Sequence, residues 1–72
     1  MTESIDLSVI VFAYNEEENI APVLSELRTW LREHEPSSEL VFVDDGSTDQ
    51  TSAEAERALS GIPHRIVRHE VN

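Results

Sequence analysis

The chain has 72 residues, enough for one small domain, and a chain of this length buries only about 60% of the surface that it exposes when unfolded. It contains no cysteine, which excludes disulfides, thiolate metal sites and cysteine nucleophiles. Its 15 acidic residues face five arginines and no lysine, and the formal net charge of −10 excludes charge-driven binding to nucleic acid or to an anionic membrane surface.

The acidic excess has two interpretations. Mutual repulsion keeps copies of a soluble acidic protein apart, and an acidic chain also suits a halophilic setting, where salt screens its self-repulsion. No apolar run approaches the roughly 20 residues that span a bilayer, and the acidic segment MTESIDLS lacks the basic start of a signal peptide. We therefore expect a cytoplasmic location, at the cytoplasmic face of the membrane if the chain belongs to a longer protein.

The first predicted element is a strand in the apolar run LSVIVFA (residues 7–13), and a second strand is predicted in ELVFVDD (residues 39–45). Both runs are rich in β-branched residues, and continuous apolar runs are typical of strands covered on both faces, as in a parallel sheet. The segment RIVRH (residues 65–69) predicts a short third strand that is polar enough to lie near a sheet edge.

Apolar residues at helical spacing predict an amphipathic helix between the first two strands. Pro22 should lie in its first turn, because proline costs about 3 kcal/mol deeper in a helix. The helix should therefore begin near residues 18–20, with Glu18 or Asn19 as its cap, and end before Pro36. The apolar stripe, which would bury Trp30 in the core, comprises Ile20, Val23, Leu24, Leu27, Trp30 and Leu31.

A second helix is predicted after DGSTD, and Gly61 and Pro63 mark its end. Its candidate caps are Ser47, Thr48 and Asp49. One face of this helix should carry Thr51, Ala55, Ala58, Leu59 and Ile62.

The order β-α-β-α-β, with connections of crossover length, predicts a Rossmann-like parallel sheet in an α/β domain. Three strands and two helices make about half of a doubly wound domain and leave a sheet edge open. We therefore expect the chain to be the N-terminal part of a larger domain. The alternative is a self-sufficient miniature domain with a very small core.

Two loops, AYNEEEN and DDGSTD, follow the carboxyl ends of the first two strands, where open parallel sheets bind ligands. Neither a P-loop nor a G-x-G-x-x-G fingerprint is present, and three consecutive glutamates before a helix would repel a phosphate. The loops suit a nucleoside, with its ring near Tyr14 and with carboxylates accepting hydrogen bonds from base N–H groups or ribose hydroxyls. The polar side chains of the two loops that could bind the nucleoside are those of Asn15, Glu16, Asn19, Asp44, Asp45, Ser47 and Thr48.

The motifs VIVFAYNEEENI and ELVFVDDGSTDQT together resemble the N-terminus of family 2 glycosyltransferases of the GT-A fold, especially the dolichol-phosphate mannose and polyprenyl-phosphate sugar synthases. The resemblance covers residues 7–69 and is specific for the superfamily but not for the sugar. It implies that residues 1–72 are the N-terminal nucleotide-binding portion of a GT-A domain. The whole enzyme would move a sugar from a UDP- or GDP-linked donor to a lipid phosphate or a polysaccharide of the cell envelope, and the 72-residue chain alone would be inactive.

The resemblance also implies roles for individual residues. Positions that match Phe12, Tyr14 and Glu16 would contact the base and ribose of the nucleotide sugar. Val43 and Asp45 would do the same from the second strand, with Asp45 binding the base. The supporting loop residues would be Ala13, Asn15, Asp44 and Gly46. Most relatives have proline or threonine in place of Phe12, so the shape of the base pocket should differ here.

The family's catalytic base, metal ligands and acceptor region lie downstream of the matched segment. We therefore expect no catalytic residue and no metal ligand in this chain. The whole enzyme would use a divalent cation, Mg²⁺ or Mn²⁺, held by residues outside it to neutralise the diphosphate.

Two alternatives from other classes remain. The chain could be a non-catalytic interaction module that oligomerises through its open sheet edge. A phosphorylatable receiver-like domain is disfavoured, because receivers carry their acidic pair after the first strand and need a lysine. For Asp45 itself, the alternative to ligand binding is a side chain-to-backbone turn with Gly46.

Overall fold

The computed structural model describes residues 5–70. The elements run in the order β1 (Leu7–Ala13), α1 (Ile20–His34), β2 (Ser38–Asp44), α2 (Thr51–Leu59) and β3 (His64–Arg68). The strands form one parallel sheet in the order β1-β2-β3. The predicted Rossmann-like fold is confirmed, with the second and third strands each starting and ending one residue earlier than expected. Residues 1–4, the first half of the segment used in the signal-peptide argument, lie outside the described residues.

Both helices pack against one face of the sheet and enclose the core. Phe42 and Leu40 of the central strand β2 are completely buried beneath them. The predicted apolar face of α2 is confirmed for Ala55 and Leu59, which are fully buried, but Ile62 lies beyond the helix, which ends at Leu59. The buried core cluster comprises Ile20, Leu24, Leu31, Leu40, Phe42, Ala55 and Leu59.

The opposite face of the sheet is exposed at both edge strands. Ile10 and Phe12 of β1 are 57% and 70% exposed, and Val67 of β3 is also exposed. The prediction that the first strand is covered on both faces is therefore wrong within residues 5–70. A continuous apolar run is compatible with burial on both faces of a strand. Among the described residues, however, none packs over the face of β1 that carries Ile10 and Phe12.

The predicted apolar stripe of α1 is partly wrong. Leu24 and Leu31 are buried, but Val23 is exposed and Trp30 is 50% exposed, with its ring stacked on His34 at a centroid distance of 4.4 Å. At 100° per residue, Val23 and Trp30 fall on the flank of the core-facing stripe rather than at its centre. Trp30 is therefore a surface residue and not a core residue.

The start of α1 agrees with the sequence, but the N-cap position of α2 is Gln50 and not one of the predicted caps, Ser47, Thr48 or Asp49. α1 begins at Ile20, with Asn19 at the N-cap position, although in the described structure the Asn19 side chain makes no capping hydrogen bond. At the start of α2, Oδ1 of Asp49 accepts a hydrogen bond of 3.0 Å from the backbone N–H of Thr51. Neither helix within residues 5–70 has the length and apolar character needed to cross a membrane.

Candidate functional site

Hydrogen bonds join the two loops at the carboxyl end of the sheet. The N–H of Asn15 donates to Oγ of Ser47 over 2.8 Å, and the N–H of Thr48 donates to Oδ1 of Asn15 over 2.9 Å. The N–H of Glu16 donates to Oγ1 of Thr51 over 2.8 Å. Ser47 and Thr51 are buried, so their hydroxyls hold the loops together rather than facing a ligand.

A second set of contacts extends this connection toward α2. The N–H of Gln50 donates to Oε1 of Glu17 over 2.8 Å, and the N–H of Glu17 donates to Oδ2 of Asp49 over 3.3 Å. Hydrogen bonding from the Thr51 hydroxyl is the main cause of a lowered pKa at Asp49. Asp49 is therefore held as a carboxylate that organises the start of α2.

Asp44 is a buried carboxylate that shapes the second loop. Its Oδ1 accepts a hydrogen bond of 2.8 Å from the N–H of Ser47, and its Oδ2 accepts one from the hydroxyl of Ser52. Burial raises the pKa of Asp44, but hydrogen bonds from Ser47 and Ser52 and the charge of Arg68 outweigh it, so the pKa lies below its ordinary value. Gly46 follows with a φ of 83°. The side chain-to-backbone turn considered for Asp45 is made by Asp44 instead.

Asp45 has the opposite environment. Its backbone N–H donates to the carbonyl of Ala13 over 2.9 Å, which ties it to the end of β1. Its side chain is 70% exposed and lies 3.4 Å, Oδ1 to Nδ1, from His69. The backbone at Asp45 is therefore fixed, while its carboxylate remains accessible at the end of the sheet.

The predicted residues from the first loop share one shallow hollow at the edge of β1. Phe12, Tyr14 and Glu16 are exposed and line this hollow together with Asn19. Asn15 adopts a φ of 50°, in the left-handed region that asparagine tolerates, and this turns the chain away from the strand. Asp45 is not among the residues that line this hollow: its backbone N–H is bonded to the carbonyl of Ala13, and its carboxylate lies beside His69.

Val43 differs from the other predicted contact residues because it is buried, with 7% of its surface exposed. It pairs with Phe12 on one side and with Val67 on the other. Its side chain therefore has little surface to offer a ligand. Its two neighbours across the sheet, Phe12 and Val67, are more accessible.

Sequence reasoning missed the contribution of the third strand. Arg68 donates from a guanidinium nitrogen to the carbonyl of Ser47 over 2.6 Å, and His69 follows it beside Asp45. The two residues line a second hollow with Gly46, Ser47, Thr48 and Glu70. The available signal was positional, since residues that follow β3 reach the same sheet end as those that follow β1 and β2.

Two carboxylates of this region are engaged within the protein. Asp44 and Asp49 are occupied by hydrogen bonds from the protein, and within residues 5–70 no group of three or more His, Asp and Glu side chains is arranged to hold a metal ion. We therefore assign no chemical step to a metal ion held by these residues.

The chain has sequence similarity to known proteins. Residues 8–72 match the family described as "Glycosyl transferase family 2". The chain is 33% identical over 72 residues to a dodecaprenyl-phosphate galacturonate synthase of Rhizobium johnstonii, and the match covers 97% of this chain and 21% of that protein. The chain thus spans about a fifth of the length of this curated relative. No solved structure matches the chain. The family match covers nearly all of the sequence, so the chain belongs to glycosyl transferase family 2.

Proposed function

We propose that the chain forms the donor-nucleoside portion of an enzyme that transfers a sugar from a nucleoside diphosphate to a lipid phosphate or polysaccharide. Family membership supports glycosyl transfer. The relative that is named a dodecaprenyl-phosphate galacturonate synthase supports a polyprenyl phosphate acceptor. In this proposal residues 1–72 are the N-terminal part of a GT-A domain, and the whole enzyme works at the cytoplasmic face of a membrane.

The observation that carries the proposal is the accessible carboxylate of Asp45 beside two hydrogen-bonded loops. The loop contacts use the side chains of Asn15, Ser47 and Thr51 internally, while Tyr14 and Asp45 remain exposed at the carboxyl end of the parallel sheet. Ligands of open parallel sheets bind beyond this end. Two loops joined by hydrogen bonds that leave a carboxylate in solvent are suited to recognition of a neutral, donor-rich group.

Each exposed residue has a chemical role in this proposal. Asp45 accepts a hydrogen bond from a base N–H, and Glu16 accepts hydrogen bonds from the ribose hydroxyls, because an ionised carboxylate is only an acceptor. The rings of Phe12 and Tyr14 offer apolar surface to the base. The acidic loops repel the diphosphate, so we expect its charge to be balanced by a divalent cation and by residues outside this chain. The chain alone should bind a nucleoside weakly and transfer no sugar.

Nucleosides, which lack phosphate, provide the sharpest test of this proposal. We expect uridine or guanosine to bind the chain with a millimolar dissociation constant by NMR or calorimetry, and inorganic diphosphate to show no binding. Asp45→Ala should weaken nucleoside binding about tenfold, the loss expected for a hydrogen bond to a charged group. Asp6→Ala, which removes the same charge from an exposed residue just before β1, should leave binding unchanged. Equal effects of the two substitutions, or tighter binding of diphosphate than of nucleoside, would contradict the proposal.

A second candidate function is an interaction module that pairs through the edge of β1. The sequence of this strand, LSVIVFA, contains no charged side chain, and Ile10 and Phe12 are exposed. Charges normally protect edge strands against pairing with another chain. Light scattering coupled to size exclusion separates the two functions, because a tight dimer that ignores nucleosides favours the module and a monomer that binds them favours the donor site.

A further inference from the structure

His64, the first residue of β3, is a largely buried histidine at the end of the sheet opposite the candidate site. Its side chain is only 15% exposed. Nδ1 of the ring lies 2.8 Å from the carbonyl oxygen of Ile62, and Nε2 lies 2.8 Å from Oε2 of Glu56. The imidazole therefore bridges α2, which carries Glu56, and the short segment that leads from α2 into β3.

Both partners of this imidazole are hydrogen-bond acceptors. A backbone carbonyl and an ionised carboxylate can only accept, and a neutral imidazole has a single N–H to donate. Only the imidazolium ion, with a proton on each nitrogen, satisfies both contacts at once. The geometry therefore corresponds to a protonated, positively charged His64.

The surroundings of His64 favour this charge on balance. The hydrogen bond to the Ile62 carbonyl is the main cause of a raised pKa at His64, and the Glu56 carboxylate raises it further. Burial and the positive charge of Arg28 on α1 act in the opposite direction and lower it. The net effect is a pKa above the ordinary value of 6.5.

The neighbouring strand brings no charge to the imidazole. The residue of β2 that pairs with His64 is the apolar Leu40. Arg65 follows His64 in the strand and so points to the opposite face of the sheet, where its guanidinium lies 3.5 Å from the carboxylate of Glu39. The helices, through Glu56 and Arg28, therefore supply the charges that act on His64.

β3 is a five-residue edge strand, and side chains hold it to the rest of the domain near both of its ends. At its last residue, Arg68 donates to the carbonyl of Ser47 over 2.6 Å. At its first residue, the two contacts of His64 hold it. Loss of one proton from His64 leaves a ring lone pair facing an oxygen atom, so one of these two contacts is lost and the other end of the strand is unaffected.

We propose that His64 is a pH-sensitive link that fastens the start of β3 to α2 when it is protonated and loosens this attachment when it is neutral. Because folding raises the pKa of His64 above 6.5, the stability from this link is fully present below about pH 6.5. It is lost as the pH rises through the folded-state pKa. The attachment of the edge strand thus weakens on the alkaline side of neutrality.

The charge state of His64 is tested by NMR titration of its imidazole signals between about pH 5 and pH 9. We expect a pKa above 6.5 in the unmodified chain. Glu56→Gln keeps an acceptor but removes the negative charge, and it should lower this pKa. Glu54→Gln, on the same helix but paired with Arg57, is the matched control and should leave it unchanged. A pKa at or below 6.5, or equal values in the unmodified chain and in Glu56→Gln, would overturn the proposal.

Hydrogen exchange tests the attachment of the strand itself. Between about pH 6 and pH 8.5, after correction for the intrinsic exchange rates, the amides of β3 should lose about two- to fivefold in protection relative to those of β1. This is the size expected for one ion pair with an exposed partner. The loss should be absent in His64→Gln, which does not titrate, and in Glu56→Gln it should occur at a lower pH. If β3 loses no protection relative to β1, or if Glu56→Gln does not move the transition, His64 is not such a link.

Discussion

Asp44 and Asp45 are adjacent in the chain, yet Asp44 is completely buried and the side chain of Asp45 is 70% exposed. Asp44 ends β2 on the face covered by the helices, where donors from Ser47 and Ser52 surround its carboxylate. Asp45 begins the loop beyond the strand, and its own backbone N–H is anchored to Ala13. One aspartate therefore builds the loop, and the other is available at its surface.

The first prediction concerns stability. Asp44→Asn should lower the free energy of unfolding by about 1.5–3 kcal/mol, because an amide cannot accept every hydrogen bond that the buried carboxylate accepts. Asp45→Asn should change it by less than about 0.5 kcal/mol, as is usual for an exposed side chain. Urea denaturation of the two variants and the unmodified chain measures both effects. Equal destabilisation by both substitutions would contradict the assignment of separate roles.

The second prediction concerns the loss of folding stability at acidic pH. The pKa of Asp44 is lower in the folded protein than in the unfolded chain, where an aspartate titrates near about 3.9. The unfolded chain then binds more protons in this range, so the stability from Asp44 is present above about pH 4 and is lost as the pH falls through the folded-state pKa. Between about pH 5 and pH 3 the urea midpoint of the unmodified chain should therefore fall relative to that of Asp44→Asn. Identical pH profiles of the two proteins would rule out Asp44 as a source of acid sensitivity.

The third prediction compares two phenylalanines on opposite faces of the sheet. Phe42→Ala should cost about 3–5 kcal/mol, because Phe42 is completely buried in the core. Phe12→Ala should cost less than about 0.5 kcal/mol, because most of the Phe12 ring is already in solvent. Thermal unfolding followed by circular dichroism distinguishes them. A large loss of stability in Phe12→Ala would mean that the second face of the sheet is covered after all.

The fourth prediction concerns salt. With 15 acidic residues against five arginines, self-repulsion should destabilise the compact state at low ionic strength. Raising the NaCl concentration from about 0.05 M to about 1 M shortens the Debye length from over 10 Å to about 3 Å and should raise the urea midpoint. A midpoint that stays constant or falls would argue against the halophilic interpretation of the acidic composition.

The fold was predictable from the sequence because its signals are local. Apolar runs and helical spacing located the strands and helices, and Pro22 fixed the start of α1 to within a turn. Trp30 was misplaced because it lies only on the flank of the stripe, where periodicity alone does not separate core from surface. The exposed face of β1 was also missed. An apolar strand has the same sequence whether or not other residues pack on its second face.

The candidate site was predictable in location but not in the detailed use of each group. The side chains of Asp44 and Ser47 can form hydrogen bonds either to a ligand or to a neighbouring loop, and the sequence does not distinguish the two. Only their burial in the structure shows that they bind the loops. His69 was absent from the predicted site because its neighbour Asp45 is 24 residues away in the chain. Such a contact depends on the register between β2 and β3, which no local pattern encodes.

Mapping by NMR tests most directly whether the two loops at the carboxyl end of the sheet hold a nucleoside. In a titration of the ¹⁵N-labelled chain with uridine and guanosine, the account predicts that the largest amide shifts cluster at residues 14–16 and at Asp45 and Gly46. In Asp45→Ala these shifts should require about tenfold more nucleoside, while the rest of the spectrum is preserved. Shifts that cluster instead at the opposite end of the sheet, around Arg28 and Gly61, would contradict it.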